Sequence, residues 1–184
     1  MKNLRLFSVF LAIVVFSVTF VSCSTSKNSK VNKSEITLSD QNLNKGQKAP
    51  DFELKDIQGN THKLSDYTGK KIYIKFWASW CSICLAGLDE IDTLAGGTND
   101  FVVLSVVSPG FRGEQSTDGF VKWFNSLGKK NLTVLLDPDG TLANKLGVRG
   151  YPTSVFIGSD GNLVKTTPGQ KSNETIKLAY KTIK

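Results

Sequence analysis

The chain has few residues that bind metals, with three cysteines and one histidine among 184 residues. Structural zinc usually takes four Cys or His ligands. Cys81 and Cys84 form one Cys-x-x-Cys pair, but Cys23 and His62 do not supply a second spaced pair, which argues against zinc. A c-type haem needs His directly after the second Cys, and Leu85 at that position excludes it. We therefore expect no metal and no cofactor.

The chain also lacks an apolar run of the length that a membrane-spanning helix needs. Residues 6–21 are uncharged and largely apolar, but a span takes about 20 residues, and a run of this length is typical of a signal-peptide core. The run ends in Phe20-Val21-Ser22-Cys23-Ser24, which resembles a bacterial lipobox, in which the Cys is lipidated. We predict a lipoprotein signal peptide at residues 1–22 and lipidation of Cys23. An uncleaved anchor and a plain signal peptide followed by an unrelated Cys are the alternatives.

Aromatic residues are absent from the next segment, residues 24–47, which is rich in Ser, Lys and Asn. Such a composition buries too little apolar surface to fold. We predict that residues 23–47 form a lipidated, flexible tether and that residues 48–184 form one domain. A signal of this kind places the domain outside the cytoplasm on the cell membrane, where disulfides persist.

Acidic residues are fewer than basic ones, which gives a formal net charge of +7. A basic chain raises the question of nucleic-acid binding. The lysines are scattered, however, with short pairs only at residues 70–71 and 129–130, and aromatic residues do not alternate with them as they do in strand-binding platforms. We expect solvated basic faces near an anionic envelope and no nucleic-acid partner.

The most informative segment that is present is Trp80-Cys81-Ser82-Ile83-Cys84, which follows an apolar run at residues 72–77 and begins a helical pattern. A helix N-terminus carries partial positive charge and unpaired N–H groups. Both lower the pKa of a Cys81 thiol below its free value of about 8.5 and favour the nucleophilic thiolate. The segment indicates reversible thiol–disulfide chemistry. A purely structural disulfide is the alternative, although its small loop would stabilise little.

Apolar periodicity and turn residues predict an α/β domain in the order β-hairpin, β, α, β, α, β, α, β, β, α. Strand–helix–strand units imply parallel pairing, and the final hairpin adds antiparallel strands. We therefore expect a mixed central sheet with helices on both faces and an N-terminal β-hairpin extension. The predicted strands are residues 51–56, 61–64, 72–77, 101–107, 133–136, 154–157 and 163–166, and the predicted helices are residues 82–95, 118–127, 141–146 and 172–183.

Two motifs together resemble the thioredoxin superfamily over residues 48–184. One is Phe76-Trp-Ala-Ser-Trp-Cys-Ser-Ile-Cys84, and the other is Gly147-Val-Arg-Gly-Tyr-Pro-Thr153. The resemblance implies a thioredoxin fold in which Pro152 is cis and packs beside the cysteines. It also implies that Trp80 flanks the nucleophile and that the backbone of Tyr151 pairs with the partner's strand.

A closer resemblance is carried by residues 75–81, 107–111 and 118–123, which are similar to thioredoxin-like domains that supply electrons to methionine sulfoxide reductases. Such domains occur fused to the reductase or as separate surface lipoproteins of Gram-positive bacteria. The Ser-Ile pair between the cysteines and the lipobox favour the separate form. The resemblance implies a methionine sulfoxide reductase as electron acceptor and a membrane thiol electron carrier as donor.

The mechanism implied is disulfide exchange. Cys81, exposed at the helix start, attacks the partner's disulfide, and the deeper Cys84 resolves the mixed disulfide. Many thioredoxins place a buried acid where this chain has Lys75, and relatives in cytochrome maturation often place Glu where it has Gly87. The proton on Cys84 then goes to water, or Lys75 supplies positive charge that favours the thiolate. Alternatively, Lys75 extends to solvent.

Other functions remain open at this point. The protein is alternatively a reductant of apocytochrome c or of general envelope disulfides, a disulfide-forming oxidase, or a binding lipoprotein with an inert disulfide. The short interval between residues 107 and 154 leaves no room for the helical insertion typical of oxidases. Peroxidases of this fold carry Pro and Thr where this chain has Ile74 and Ala78, which disfavours that activity.

Overall fold

A computed structural model describes residues 44–184. The predicted signal peptide, the lipidation of Cys23 and nearly all of the predicted tether lie outside the described residues. Within residues 44–184, none of the helices has both the length and the apolar character required to cross a membrane.

The described residues form seven strands and five α-helices. The strands are β1 (Glu53–Asp56), β2 (Thr61–Lys63), β3 (Lys71–Phe76), β4 (Phe101–Val107), β5 (Thr133–Leu136), β6 (Thr153–Ile157) and β7 (Leu163–Pro168), and the helices are α1 (Ser82–Ala86), α2 (Leu88–Gly96), α3 (Thr117–Ser126), α4 (Thr141–Lys145) and α5 (Asn173–Tyr180).

The seven strands form one sheet in the order β2-β1-β5-β4-β3-β6-β7. Strand β3 pairs parallel with β4 and antiparallel with β6, so the sheet is mixed. The α/β architecture predicted from the sequence, with its N-terminal hairpin, is confirmed.

Two apolar cores lie against the two faces of the sheet, because side chains alternate along β3. Ile72, Ile74 and Phe76 belong to one core, which α4 covers. Tyr73 and Trp77 belong to the other core, together with both motif cysteines and buried residues of α1, α2, α3 and α5. The alternation also turns Lys75 toward the face that contains the cysteines.

The helix after the cysteines is broken, where the sequence predicted one continuous helix over residues 82–95. Helix α1 ends and α2 begins at Gly87, whose N–H bonds back to the carbonyl oxygen of Cys84. A Cβ at Gly87 would lie 2.8 Å from Cδ of Gln170 and closer still to its amide nitrogen. The prediction of one continuous helix was wrong, because Gly87 is the C-cap of α1 and the N-cap of α2, and its N–H bonds to carbonyl oxygens of the last turn of α1. The Gln170 contact separately leaves no room for a side chain at this position.

A polar network holds the N-terminal hairpin. The carboxylate of Asp56 accepts hydrogen bonds from the backbone N–H groups of Gln58 and Asn60 and bonds to Nε2 of His62 at 3.0 Å. His62 in turn bonds through Nδ1 to the hydroxyl of Tyr67 at 2.7 Å. Burial raises the pKa of Asp56, but the hydrogen bonds from His62 and Asn60 outweigh it and leave the pKa below its ordinary value. The charged carboxylate therefore stabilises the hairpin.

We expect Asp56→Asn to lower the free energy of unfolding at pH 7 by about 1–3 kcal/mol, because Asn keeps one oxygen acceptor but replaces the charged oxygen that bonds to His62 and to the Asn60 amide. A lowered folded pKa means that this stabilisation is present above the ordinary Asp value and is lost as the pH falls through the folded value. Urea denaturation at pH 7 and at about pH 3 measures the difference, with exposed Glu53→Gln as the control. An undiminished pH dependence in the Asn variant would contradict the assignment.

Candidate active site

The two motif cysteines are joined by a disulfide at the point where β3 gives way to α1. The chain leaves β3 through Trp77, whose N–H still bonds to the carbonyl oxygen of Val106 in β4. Cys81 is the N-cap of α1, and its Sγ accepts a hydrogen bond from the backbone N–H of Cys84 at 3.3 Å. A hydrogen bond donated to a thiolate favours the charged form over the neutral thiol. This N–H is therefore placed to stabilise a thiolate at Cys81 when the disulfide is open.

The two cysteines differ in exposure to solvent. Cys84 is fully buried and Cys81 is 6% exposed, so Cys81 is the outer member of the pair. We predicted an exposed Cys81, and in this disulfide-bonded state that expectation was wrong. The bond to the buried sulfur of Cys84 holds the Cys81 side chain against the protein. Two large apolar side chains near Cys81 in the chain are exposed instead: Trp80 and Ile83 are each 54% exposed.

The structure brings the second motif against the first. The Tyr151–Pro152 peptide bond is cis, and Pro152 is buried. The ring of Tyr151 meets that of Trp80 edge to face, with the ring centroids 5.9 Å apart. The register of the sheet explains this proximity, since Phe76 at the end of β3 lies opposite Thr153 at the start of β6. Residues about 70 positions apart therefore flank one disulfide.

Lys75 is buried on the same face of β3 as the cysteine core, with 3% of its surface exposed. Its ammonium group donates a hydrogen bond to Oε1 of Gln170 at 3.0 Å. Burial lowers the pKa of Lys75 to about 8, and the carboxylate of Glu90 partly opposes that shift. The alternative that Lys75 extends to solvent is therefore wrong, because the alternation of the strand directs it inward.

A carboxylate that the sequence analysis missed holds the segment leading into the cysteines. Glu114 is 7% exposed, and it accepts hydrogen bonds at 2.6 Å from both the backbone N–H and the hydroxyl of Ser79. It also accepts one at 2.8 Å from the N–H of Gln115. Glu114 lies in the loop between β4 and α3, 35 positions from Ser79, and no local pattern signals a contact of that range.

The same loop also contacts the segment that leads to Pro152. Arg112 adopts a left-handed backbone conformation with φ of 50°, and its guanidinium lies 5.0 Å from the centre of the Phe111 ring. The guanidinium donates a hydrogen bond to the carbonyl oxygen of Val148 at 3.2 Å. The loop thus contacts both motifs: Glu114 bonds to Ser79 of the first motif, and Arg112 bonds to Val148 of the second.

Across residues 44–184, no group of three or more His, Cys, Asp or Glu side chains is placed to hold a metal ion. The arrangement is suited to thiol–disulfide exchange. It combines an outer and a buried cysteine, an N–H directed at the sulfur of the outer one, and an apolar rim formed by Trp80 and Ile83.

Comparisons with known proteins agree with this chemistry. A family model described as Redoxin matches residues 44–183. The crystal structure of the pneumococcal exposed lipoprotein thioredoxin (Etrx1) from Streptococcus pneumoniae strain TIGR4 is 52% identical, with a TM-score of 0.70, and the match covers 73% of this chain and 100% of that one. The N-terminal domain of PilB from Neisseria gonorrhoeae is 30% identical, with a TM-score of 0.65, and the match covers 70% of this chain and 87% of that one. The thiol-disulfide oxidoreductase ResA of Geobacillus thermodenitrificans is 28% identical over 144 residues, which are 76% of this chain and 78% of the relative.

We expect Glu114→Ala to destabilise the oxidised protein by about 1–3 kcal/mol, because it leaves the Ser79 and Gln115 donors without their acceptor. Glu114→Gln retains one oxygen acceptor and should lose less. Denaturant unfolding measures the stability, and amide hydrogen exchange at Ser79 measures the local effect. Glu174→Ala on α5, which removes an exposed carboxylate, is the control. Unchanged exchange at Ser79 in the Ala variant would contradict the role given to Glu114.

Proposed function

The chain belongs to the redoxin family of thioredoxin-like thiol–disulfide oxidoreductases, and from this membership we propose that it donates electrons to a disulfide in a methionine sulfoxide reductase. The observation that carries the redox activity is the disulfide between Cys81 and the fully buried Cys84, with Tyr151 of the second motif packed on Trp80, the residue before Cys81. The choice of partner is supported by the resemblance at residues 75–81, 107–111 and 118–123.

The proposed reaction has two exchange steps. The thiolate of reduced Cys81 attacks one sulfur of the partner's disulfide, which forms a mixed disulfide and releases the partner's other sulfur as a thiolate. Cys84 then loses its proton and attacks Sγ of Cys81, which releases the second partner thiolate. The partner gains two electrons and leaves as two thiolates, which take up two protons from water, and this protein is left with the Cys81–Cys84 disulfide. The positions of the two sulfurs support these roles, since Cys81 is the outer one and Cys84 is fully buried.

We propose that the partner docks on the apolar rim around Cys81. Trp80 and Ile83 present large apolar surfaces there, and Tyr151 packs against Trp80. In this assignment the partner's chain lies along the backbone of Tyr151, held in place by cis-Pro152, and the exposed side chains of Trp80 and Ile83 cover the exchanging sulfurs. Burial of these two side chains on docking removes apolar surface from water, which favours association.

Lys75 is the remaining member of the proposed site. Its side chain lies on the sheet face that bears the cysteine core, and a cation near a thiol favours the thiolate. We assign Lys75 the electrostatic support of Cys84 in the resolving step, with the proton released to water.

Electrons must reach the protein from a donor. We propose that residues 1–22 are a lipoprotein signal, that lipidated Cys23 and residues 24–47 tether the domain of residues 48–184 to the outer surface of a Gram-positive cell membrane, and that a membrane thiol carrier re-reduces it. The similarity to an exposed lipoprotein thioredoxin of Streptococcus pneumoniae supports this location. Such a site lies outside the reducing cytoplasm, so a supply of electrons across the membrane is required.

A second candidate is the reduction of apocytochrome c or of general envelope disulfides, which the similarity to ResA favours. The space beside Gly87 supports the first candidate over the second, because relatives in cytochrome maturation often place Glu at that position. Here the side chain of Gln170 fills that space, and a carboxylate does not enter it from position 87.

Trapping tests the proposed acceptor. We expect Cys84→Ser, reduced and mixed with an oxidised methionine sulfoxide reductase, to accumulate a mixed disulfide through Cys81, because the resolving thiol is absent. Non-reducing electrophoresis with mass spectrometry identifies the linked cysteines, and Cys81→Ser is the matched control that forms no such adduct. Preferential trapping of apocytochrome c by the same variant would move the assignment to the second candidate.

Lys75→Met tests the buried cation through stability and exchange together. The folded pKa of about 8 lies below the ordinary 10.5, so the ammonium is destabilised by folding at neutral pH. At about 1.4 kcal/mol per pKa unit, we expect the Met variant to be more stable at pH 7 by up to about 3 kcal/mol. The folded wild type loses this proton before the unfolded chain does, so wild-type stability rises between pH 8 and 10.5 and the difference disappears.

The same Met variant should be slower in the resolving step, because Cys84 loses the nearby positive charge. Unfolding curves from pH 7 to 10.5 and stopped-flow exchange measure the two effects. Lys70→Met, in the exposed residue before β3, is the control. Resolving rates that equal those of the wild type at every pH would remove Lys75 from the mechanism.

A further inference from the structure

Gln170 makes a contact that the sequence pattern did not predict. It lies between β7 and α5, and its side chain reaches into the cysteine face of the sheet. One end of its amide, Oε1, accepts the hydrogen bond from Lys75 at 3.0 Å. The amide as a whole occupies the space that a side chain at Gly87 would take. Gln170 therefore connects a buried cation to the turn that follows Cys84.

The chain of contacts runs directly to the resolving cysteine. The N–H of Gly87 bonds to the carbonyl oxygen of Cys84 at 3.2 Å, so Gly87 belongs to the same helical turn as that cysteine. Cys84 packs in one core with Tyr73 and Trp77, the two residues of the β3 segment that flank Lys75 on the same face. The ammonium thus contacts the amide, and the amide lies against Gly87 in the turn that follows Cys84.

The charges around Lys75 leave its positive charge largely uncompensated. None of the ion pairs within residues 44–184 includes Lys75. From α2, the carboxylate of Glu90 faces it at longer range, but that carboxylate accepts the N–H of Asn173 at 2.9 Å. From β3, Tyr73 is neutral, because burial raises its pKa to about 12. From the segment before α5, Lys171 directs its ammonium to the carbonyl oxygen of Pro168.

We propose that Gln170 is a positioning residue that holds the Lys75 ammonium beside Cys84 with a neutral acceptor, and that Gly87 is required because it leaves room for this amide. A neutral amide fixes the ammonium without cancelling its charge, whereas a carboxylate would pair with it. The inference rests on the proposed roles of Cys84 and Lys75 and deepens them, because it explains how a site without a carboxylate at residue 75 or 87 keeps a cation at the resolving thiol.

Stopped-flow exchange of the full chain with 5,5′-dithiobis(2-nitrobenzoate) tests the proposal without any protein partner. Every variant carries Cys23→Ser, so that Cys81 and Cys84 are the only thiols that release the reagent. Reduced Cys81 attacks the reagent and releases one nitrothiobenzoate thiolate. Cys84 then displaces the second thiolate as the Cys81–Cys84 disulfide closes, and its proton goes to water. The pH at which the second release is half-maximal reports on Cys84. We expect Gln170→Glu to raise that midpoint by about one pH unit or more, because a paired Lys75 no longer favours the thiolate.

Two further variants separate positioning from packing. Gln170→Ala removes the acceptor, and Gly87→Ala displaces the amide without altering Gln170 or Lys75, so both should raise the midpoint in the same direction as Gln170→Glu. In a Lys75→Met background, Gln170→Ala should have no additional effect on the midpoint, because Gln170 acts through Lys75. Gln58→Glu in the exposed hairpin turn and Gly97→Ala after α2 are the matched controls.

The outcomes are distinct. If Gln170→Glu behaves as the wild type while Gln170→Ala slows exchange at an unchanged midpoint, Gln170 only fills space and the inference is overturned. If the wild-type protein releases no second thiolate, the proposed role of Cys84 itself fails, and this result is independent of the variants. A wild type that resolves normally, with midpoints raised in the Gln170→Glu, Gln170→Ala and Gly87→Ala variants, supports both proposals.

Discussion

The pairing of β3 with β6 is the constraint on which the site depends. These strands run antiparallel with Phe76 opposite Thr153. The chain that leaves β3 and the chain that enters β6 therefore lie side by side at the same end of the two strands. The first carries the cysteines and the second carries cis-Pro152. A shift of one residue in this register would turn every side chain of β3 to the other face. Lys75 would then leave the cysteine core, and the two motifs would no longer face one another.

Two buried charges near the cysteine segment have different partners. The carboxylate of Glu114 satisfies the backbone and hydroxyl donors of Ser79, which precedes the cysteines. The ammonium of Lys75 in β3 donates a hydrogen bond to the neutral amide of Gln170, and within residues 44–184 it forms no ion pair. A carboxylate held by several donors is a structural element, whereas a cation with a neutral acceptor keeps its positive charge uncancelled. In the proposed site, structural support and the charge assigned to Cys84 therefore come from different residues.

The sequence was sufficient to predict the parts of the fold that local pattern determines. Apolar runs and turn residues indicated the strands, and two short motifs indicated the family. The lack of room for a side chain at position 87 was not predictable, because the space is filled by Gln170, which lies far along the chain in an irregular segment. The hydrogen bonds of Glu114 to Ser79 were missed for the same reason. Lys75 was ambiguous because β3 is buried on both faces, and such strands lack the polar–apolar alternation that assigns a side to each residue.

The proposed function requires electrons to flow from this protein to its partner. The decisive measurement is the reduction potential of the Cys81–Cys84 couple, determined by equilibration with glutathione or dithiothreitol buffers. We expect a value near that of thioredoxin, about −270 mV, or somewhat above it, which suits a donor of electrons to an enzyme disulfide. A value near about −120 mV, typical of a strong oxidant, would contradict it and would assign the protein to disulfide formation instead.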